Sequence, residues 1–161
     1  MMQILEYIEH SGLATWVRES PSIFAYTLVL SLHAIGLSIV VGISWMVGLR
    51  VLGYFKEIPL EPMFKLFPVM YVGFWINAIS GVLLLMASAT GMFTMVMFYI
   101  KMTFVVAAIV MVRLLRRSFA EGKVMSSGRG IAYAMVGFWL AALISGRLTS
   151  YRYLLEAWFG I

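Results

Sequence analysis

The chain has 161 residues, 63% of them hydrophobic and only 12% charged, with a mean hydropathy of +0.97. That balance lies outside the soluble range, excludes a large soluble domain and indicates a membrane protein. The formal charge of +5 does not point to nucleic acid, because Lys and Arg gather at the ends of apolar runs, where they set topology and meet anionic head groups.

Taken in chain order, the N-terminal "MMQILEYIEHSGLATWV" is too short and too interrupted to span a bilayer. Its Ile4, Leu5, Ile8 and Leu13 fall near helical spacing with Glu6, Glu9 and His10 largely opposite, so residues 1–19 are expected to lie along the membrane surface. Four apolar runs then meet the requirement of roughly 20 residues per membrane helix. They are placed at about 23–48, 69–87, 94–112 and 131–148. "ESPS" precedes the first, with Ser20 suited to cap its amides and Pro21 to its first turn. Pro68 and "SATG" bound the second, and "SSGRG" reads as a turn before the fourth. The tail 149–161, with Tyr151, Tyr153 and Trp158, has the aromatic character of the head-group level. The expected fold is all-α, a single-domain integral membrane four-helix bundle with amphipathic interfacial segments at both ends.

Orientation follows from the basic residues beside the helix ends. The loops after the first and third helices carry Arg50, Lys56, Lys65, Arg113, Arg116, Arg117, Lys123 and Arg129, whereas the opposite side has only Arg18, Arg147 and Arg152. The positive-inside rule then puts both termini outside the cytoplasm, which for a bacterial inner membrane is the periplasm.

At about 1.5 Å of rise per residue, His33 in the first helix and Asn77 in the second fall roughly 15 Å below the outer boundary, near the midplane. Lys101 falls roughly 10 Å below the same boundary and Arg147 at the outer end of the fourth helix. Each helix thus gives one polar residue to the outer half. No acidic residue lies in any of the four spans. An intramembrane cation normally faces a partner or a wet cavity, so Lys101 and Arg147 are left with snorkelling, carbonyl partners or an anionic ligand. The structural reading of His33 is a hydrogen bond to a neighbouring carbonyl or to Asn77 that joins two helices.

Small residues beside the polar ones extend the reading. Gly36 comes one turn after His33, and Gly73, Ser80 and Gly81 flank Asn77. Such residues let helices pack closely, and they also leave room for a flat macrocycle beside an imidazole. A haem b with His33 as axial ligand fits this chemistry, with Gly36 and Asn77 beside it and Lys101 and Arg147 matching two propionates. A second histidine ligand is not expected, since His10 is the only other histidine and falls in the segment expected at the surface. Among 13 Met residues, Met86, Met97 and Met102 fall in the outer half, so a thioether could ligate haem or Cu(I).

The absence of cysteine leaves no disulfide or thiolate site, and there is no phosphate loop, paired carboxylate or HExxH motif. The chain is also too short and too sparsely polar for a transporter acting alone. The function expected is therefore a small haem b-binding electron carrier; the alternatives are a non-catalytic accessory or assembly subunit and a copper-handling protein. The surroundings it implies are the lipid bilayer, a redox partner or membrane complex, and further copies of the same chain.

The motifs "SLHAIGLSIVVG", "LRVLG", "ISGVLLLMASA", "FYIKM" and "LISGRLTSY" resemble a family of bacterial four-helix membrane proteins of unknown function. A first-helix His and a third-helix Lys are more distantly similar to CopD-type copper-resistance domains and to the HemJ-type protoporphyrinogen oxidase. Those resemblances imply copper or haem handling at His33 and Lys101. The acidic and basic set associated with the oxidase is missing, as is a Met- or His-rich copper segment outside the membrane.

Overall fold

The computed structural model of the protein describes residues 2–149 and 151, with only the backbone for 124–127. It is all-α among these residues, in the class of four-helix membrane bundles. The elements are α1 (Met2–Glu9), α2 (Gly12–Glu19), α3 (Tyr26–Leu52), α4 (Leu60–Phe64), α5 (Phe67–Ala87), α6 (Ala89–Phe93), α7 (Val96–Ala120) and α8 (Val124–Thr149). Four segments are long and apolar enough to cross a membrane: Tyr26–Leu52, Leu60–Ala87, Val96–Ala120 and Gly128–Thr149. Large apolar side chains such as Ile35, Trp75, Ile79, Val106 and Ile144 stand exposed along them, which suits contact with lipid rather than water.

Expected helix ends move wherever charge masked helicity. α3 runs to Leu52 and α7 to Ala120, carrying Arg50, Arg113, Arg116 and Arg117 beyond the apolar windows, because arginine lowers hydropathy yet favours helix. α8 starts at Val124, so "SSGRG" is helical rather than a turn, and the chain reverses instead at Gly122 with φ 69°. The Ser20–Pro21 start for the first span is corrected as well. Ser20 caps the C-terminus of α2, its N–H donating to Trp16 O, and a serine turn follows in which Phe24 N donates to Ser22 Oγ at 3.2 Å.

The N-terminal segment forms two helices, α1 and α2. Ser11 breaks it: its Oγ donates to Ile8 O at 2.7 Å, closing α1, and accepts from Ala14 N at 3.4 Å, opening α2. The expected tail segment lies outside the described residues, apart from Thr149, which ends α8, and Tyr151.

The chain divides into two compact units, one from Met1–Val40 and Pro68–Thr94, the other from Val41–Phe67 and Met95–Ile161. In the first, Val17 of α2 packs with Val29 of α3 and Ala87 of α5, flanked by Leu83 and Leu84. Polar contacts fix this docking. Glu9 accepts from Thr90 N at 2.8 Å and from Thr90 Oγ1 at 2.6 Å. Arg18 donates to Glu9 O and to Ala87 O, both at 3.2 Å, which satisfies a carbonyl at the end of α5.

In the second unit α7 packs against α8, and each buries residues at helical spacing, Ala108, Val112 and Leu115 on α7 and Ala132, Met135, Trp139 and Ala142 on α8. α4 is held to the end of α7 by Phe64, stacked on Phe119 with centroids 3.8 Å apart and on Phe67 at 5.2 Å. Arg116 lies over the Phe67 ring at 5.8 Å.

Candidate functional site

Helical spacing puts His33, Gly36 and Val40 on one ridge of α3, and Met70, Gly73, Asn77, Ser80 and Gly81 on one ridge of α5. Glycine at both facing positions brings the backbones together. A Cβ on Gly36 would stand 2.6 Å from Asn77 N and 2.7 Å from Gly73 O, and one on Gly73 would stand 2.6 Å from Ile39 Cγ2. The space expected beside Gly36 for a macrocycle is therefore taken by the backbone of α5. In this structure Gly36 serves the close packing of α3 on α5.

Across this seam His33 and Asn77 bond reciprocally. His33 Nδ1 lies 3.0 Å from the backbone carbonyl oxygen of Asn77, and Asn77 Nδ2 donates to His33 O at 2.7 Å. A carbonyl oxygen only accepts, so the 3.0 Å contact is a hydrogen bond in the tautomer that carries the proton on Nδ1 and the lone pair on Nε2. Asn77 Nδ2 and Ser80 Oγ complete the surroundings of Nδ1 at 3.3 and 3.4 Å, with Ser80 Oγ donating to Ile76 O at 2.6 Å. The ring rests on Gly81, where a Cβ would meet His33 Cε1 at 3.0 Å. Both His33 and Asn77 are half-buried.

The two expected cations belong to the second unit. The Lys101 side chain lies along Gly146 of α8, where a Cβ would meet Lys101 Cε at 3.4 Å and Nζ at 3.7 Å. The missing side chain at 146 thus makes a channel along which the lysine methylenes run. Arg147, the next residue, is exposed, holds its guanidinium 5.4 Å from the Tyr151 ring centroid, and donates from Nη2 to Tyr151 Oη at 3.4 Å. Among the described residues, no carboxylate forms an ion pair with Lys101 or Arg147. The structure thus brings His33, Gly36 and Asn77 together in one unit and places Lys101 and Arg147 in the other.

Chemically, the α3–α5 seam offers one imidazole, oriented through Nδ1. Hydrogen bonding of Nδ1–H to a backbone carbonyl is the arrangement that commonly orients a metal-ligating histidine and raises the basicity of Nε2. His33 therefore fits an axial haem ligand in its donor chemistry. Among the described residues, no three His, Cys, Asp or Glu side chains group as a metal site, so a copper site would draw on methionine.

Two groups of polar residues escaped the sequence reading. Glu9, Arg18 and Thr90 are linked across 81 positions of sequence by a hydrogen bond that no periodic pattern encodes. The other pair, Trp45 and Trp139, belongs to no sequence motif, yet each buries an indole N–H without an acceptor among the described residues. Only the structure distinguishes these cases.

Fold and site together define the class: an integral membrane four-helix protein with a histidine–asparagine pair tying two spans. No protein-family model, curated protein or solved structure matches the chain.

Proposed function

We propose that the protein is a small haem b-binding electron carrier of a bacterial inner membrane, with His33 Nε2 as an axial ligand. The observation that carries this reading is the hydrogen bond from His33 Nδ1 to the Asn77 carbonyl at 3.0 Å, which selects the ligating tautomer before any iron arrives. When bound, the haem would supply reversible one-electron chemistry. Asn77 and Ser80 orient the ring, and the apolar spans keep water from it. The excess of Lys and Arg in the loops after the first and third spans supports periplasmic termini, with His33 in the periplasmic half. A redox protein or membrane complex is the partner such a carrier requires.

The test is the haem content of full-length protein purified in detergent from haem-replete cells, read as the pyridine haemochrome. One haem b per chain is expected; a preparation without haem contradicts the proposal, and equimolar copper without porphyrin would replace it with copper handling.

A second reading is favoured by the contact at Gly36: an accessory or assembly subunit in which the His33–Asn77 pair only locks α3 to α5. It differs in predicting that a bundle with His33→Leu keeps its partner binding.

A further inference from the structure

Trp45 on α3 and Trp139 on α8 each bury an indole N–H that meets no acceptor among the described residues. Trp139 is only 2% exposed. Buried donors are almost always paired in native interiors, so two such groups in one unit call for a physical account.

Their placement supplies one. Arg129 Nη2 at the start of α8 donates to Leu52 O at the end of α3 at 3.4 Å. Farther along the pair, a Cβ on Gly48 would meet Met135 Cε at 2.9 Å and Val136 Cγ2 at 3.0 Å. These two α3 and α8 segments therefore touch and run antiparallel. Trp45 precedes Gly48 by three residues, about 5 Å along the axis, and Trp139 follows Met135 by four, about 6 Å in the same direction. Both indoles thus occupy one level, with Ser44 buried beside Trp45.

We infer that Trp45 and Trp139 form a binding site for the carbonyl oxygen of a lipid-soluble quinone reaching this level from the bilayer. Indole N–H groups are donors only, and a quinone oxygen is an acceptor only, carried on a flat apolar ring that suits the apolar surroundings. Water or an alcohol would bring a donor that neither indole N–H can accept. The site lies entirely in the second unit and is independent of His33.

Full-length protein in nanodiscs of dioleoyl phosphatidylcholine and phosphatidylglycerol is titrated with ubiquinone-1, reading quenching of tryptophan fluorescence. The lipids supply ester carbonyls in excess, so saturable quenching reports the quinone itself. Trp45→Phe and Trp139→Phe are each expected to weaken the half-saturation concentration about tenfold, the worth of one hydrogen bond, while the lipid-exposed control Trp75→Phe leaves it unchanged. Quenching that rises linearly without saturating, or the same half-saturation in both variants as in the wild type, overturns the inference. Should Trp139→Phe lose its helical circular dichroism, the indole N–H band of the wild-type protein in ultraviolet resonance Raman decides. A shift to the hydrogen-bonded position on adding ubiquinone-1 supports the site, and an unmoved band rejects it.

Discussion

His33 and Asn77 hold each other through both backbone and side chain: the Asn77 carbonyl takes the imidazole at 3.0 Å, and the Asn77 amide returns a bond to His33 O at 2.7 Å. The two bonds have different consequences. The first depends only on the backbone at position 77 and sets the tautomer, whereas the second needs the asparagine side chain and ties α3 to α5. Asn77→Leu should therefore lower stability by about 0.6–1.7 kcal/mol, the range for hydrogen bonds between membrane helices, yet leave haem bound. Thermal unfolding in detergent, with absorbance followed on the same sample, separates the two effects; loss of haem from a folded Asn77→Leu protein would assign the tautomer to the side chain.

The glycines divide sharply by surroundings. At Gly36 a methyl group meets backbone at 2.6 and 2.7 Å, which cannot yield without parting the helices, so Gly36→Ala is expected to cost about 1–3 kcal/mol. Gly42 and Gly137 have nothing within 4 Å of an added Cβ. Alanine there should be neutral or raise stability by up to about 1 kcal/mol, because it favours the helix. Equal effects at Gly36 and Gly42 in thermal unfolding would refute the close crossing of α3 and α5.

Glu9 makes the N-terminal docking depend on pH. The Thr90 hydroxyl, then the Thr90 N–H, and more weakly Arg18, hold its carboxyl below the usual carboxylate range. A lowered folded value means that the stabilisation is complete above the ordinary glutamate pKa of about 4.3 and is lost as pH falls through the lowered one. Glu9→Gln should therefore speed proteolysis of α1 and α2 at neutral pH, and the difference from wild type should vanish at strongly acidic pH. A difference that persists unchanged into acid would show that the carboxylate is not what holds the segment.

Lys101 carries a cost without an ionic partner among the described residues. An intramembrane lysine costs on the order of 2.5–3.5 kcal/mol before snorkelling relieves it, so Lys101→Met should raise the thermal stability of the detergent-solubilised protein by about 1 kcal/mol or more. Gly146→Leu should do the opposite, since it fills the channel in which the lysine methylenes run. A Lys101→Met protein less stable than wild type would mean that the ammonium is held by a favourable interaction.

Much of this architecture is legible in the sequence, because a run of some 20 apolar residues in a bilayer has few alternatives to a helix. His33, Asn77 and Lys101 stood out for the same reason, as polar groups where polar groups are expensive. The helix ends were less legible, since Arg113, Arg116 and Arg117 end the apolar window while α7 continues. Gly36 shows a deeper limit: sequence reveals missing bulk but not what fills it, and here the α5 backbone does. The Glu9–Thr90 bond and the orphaned indoles of Trp45 and Trp139 arise from tertiary approach, which leaves no local signal.

The most direct measurement is the absorption spectrum of the detergent-solubilised full chain beside that of His33→Ala, with helicity matched by circular dichroism. The account predicts a Soret band in the wild type that collapses in His33→Ala and persists in Asn77→Leu. A colourless wild-type preparation from haem-replete cells, or a Soret band unchanged in His33→Ala, would contradict it.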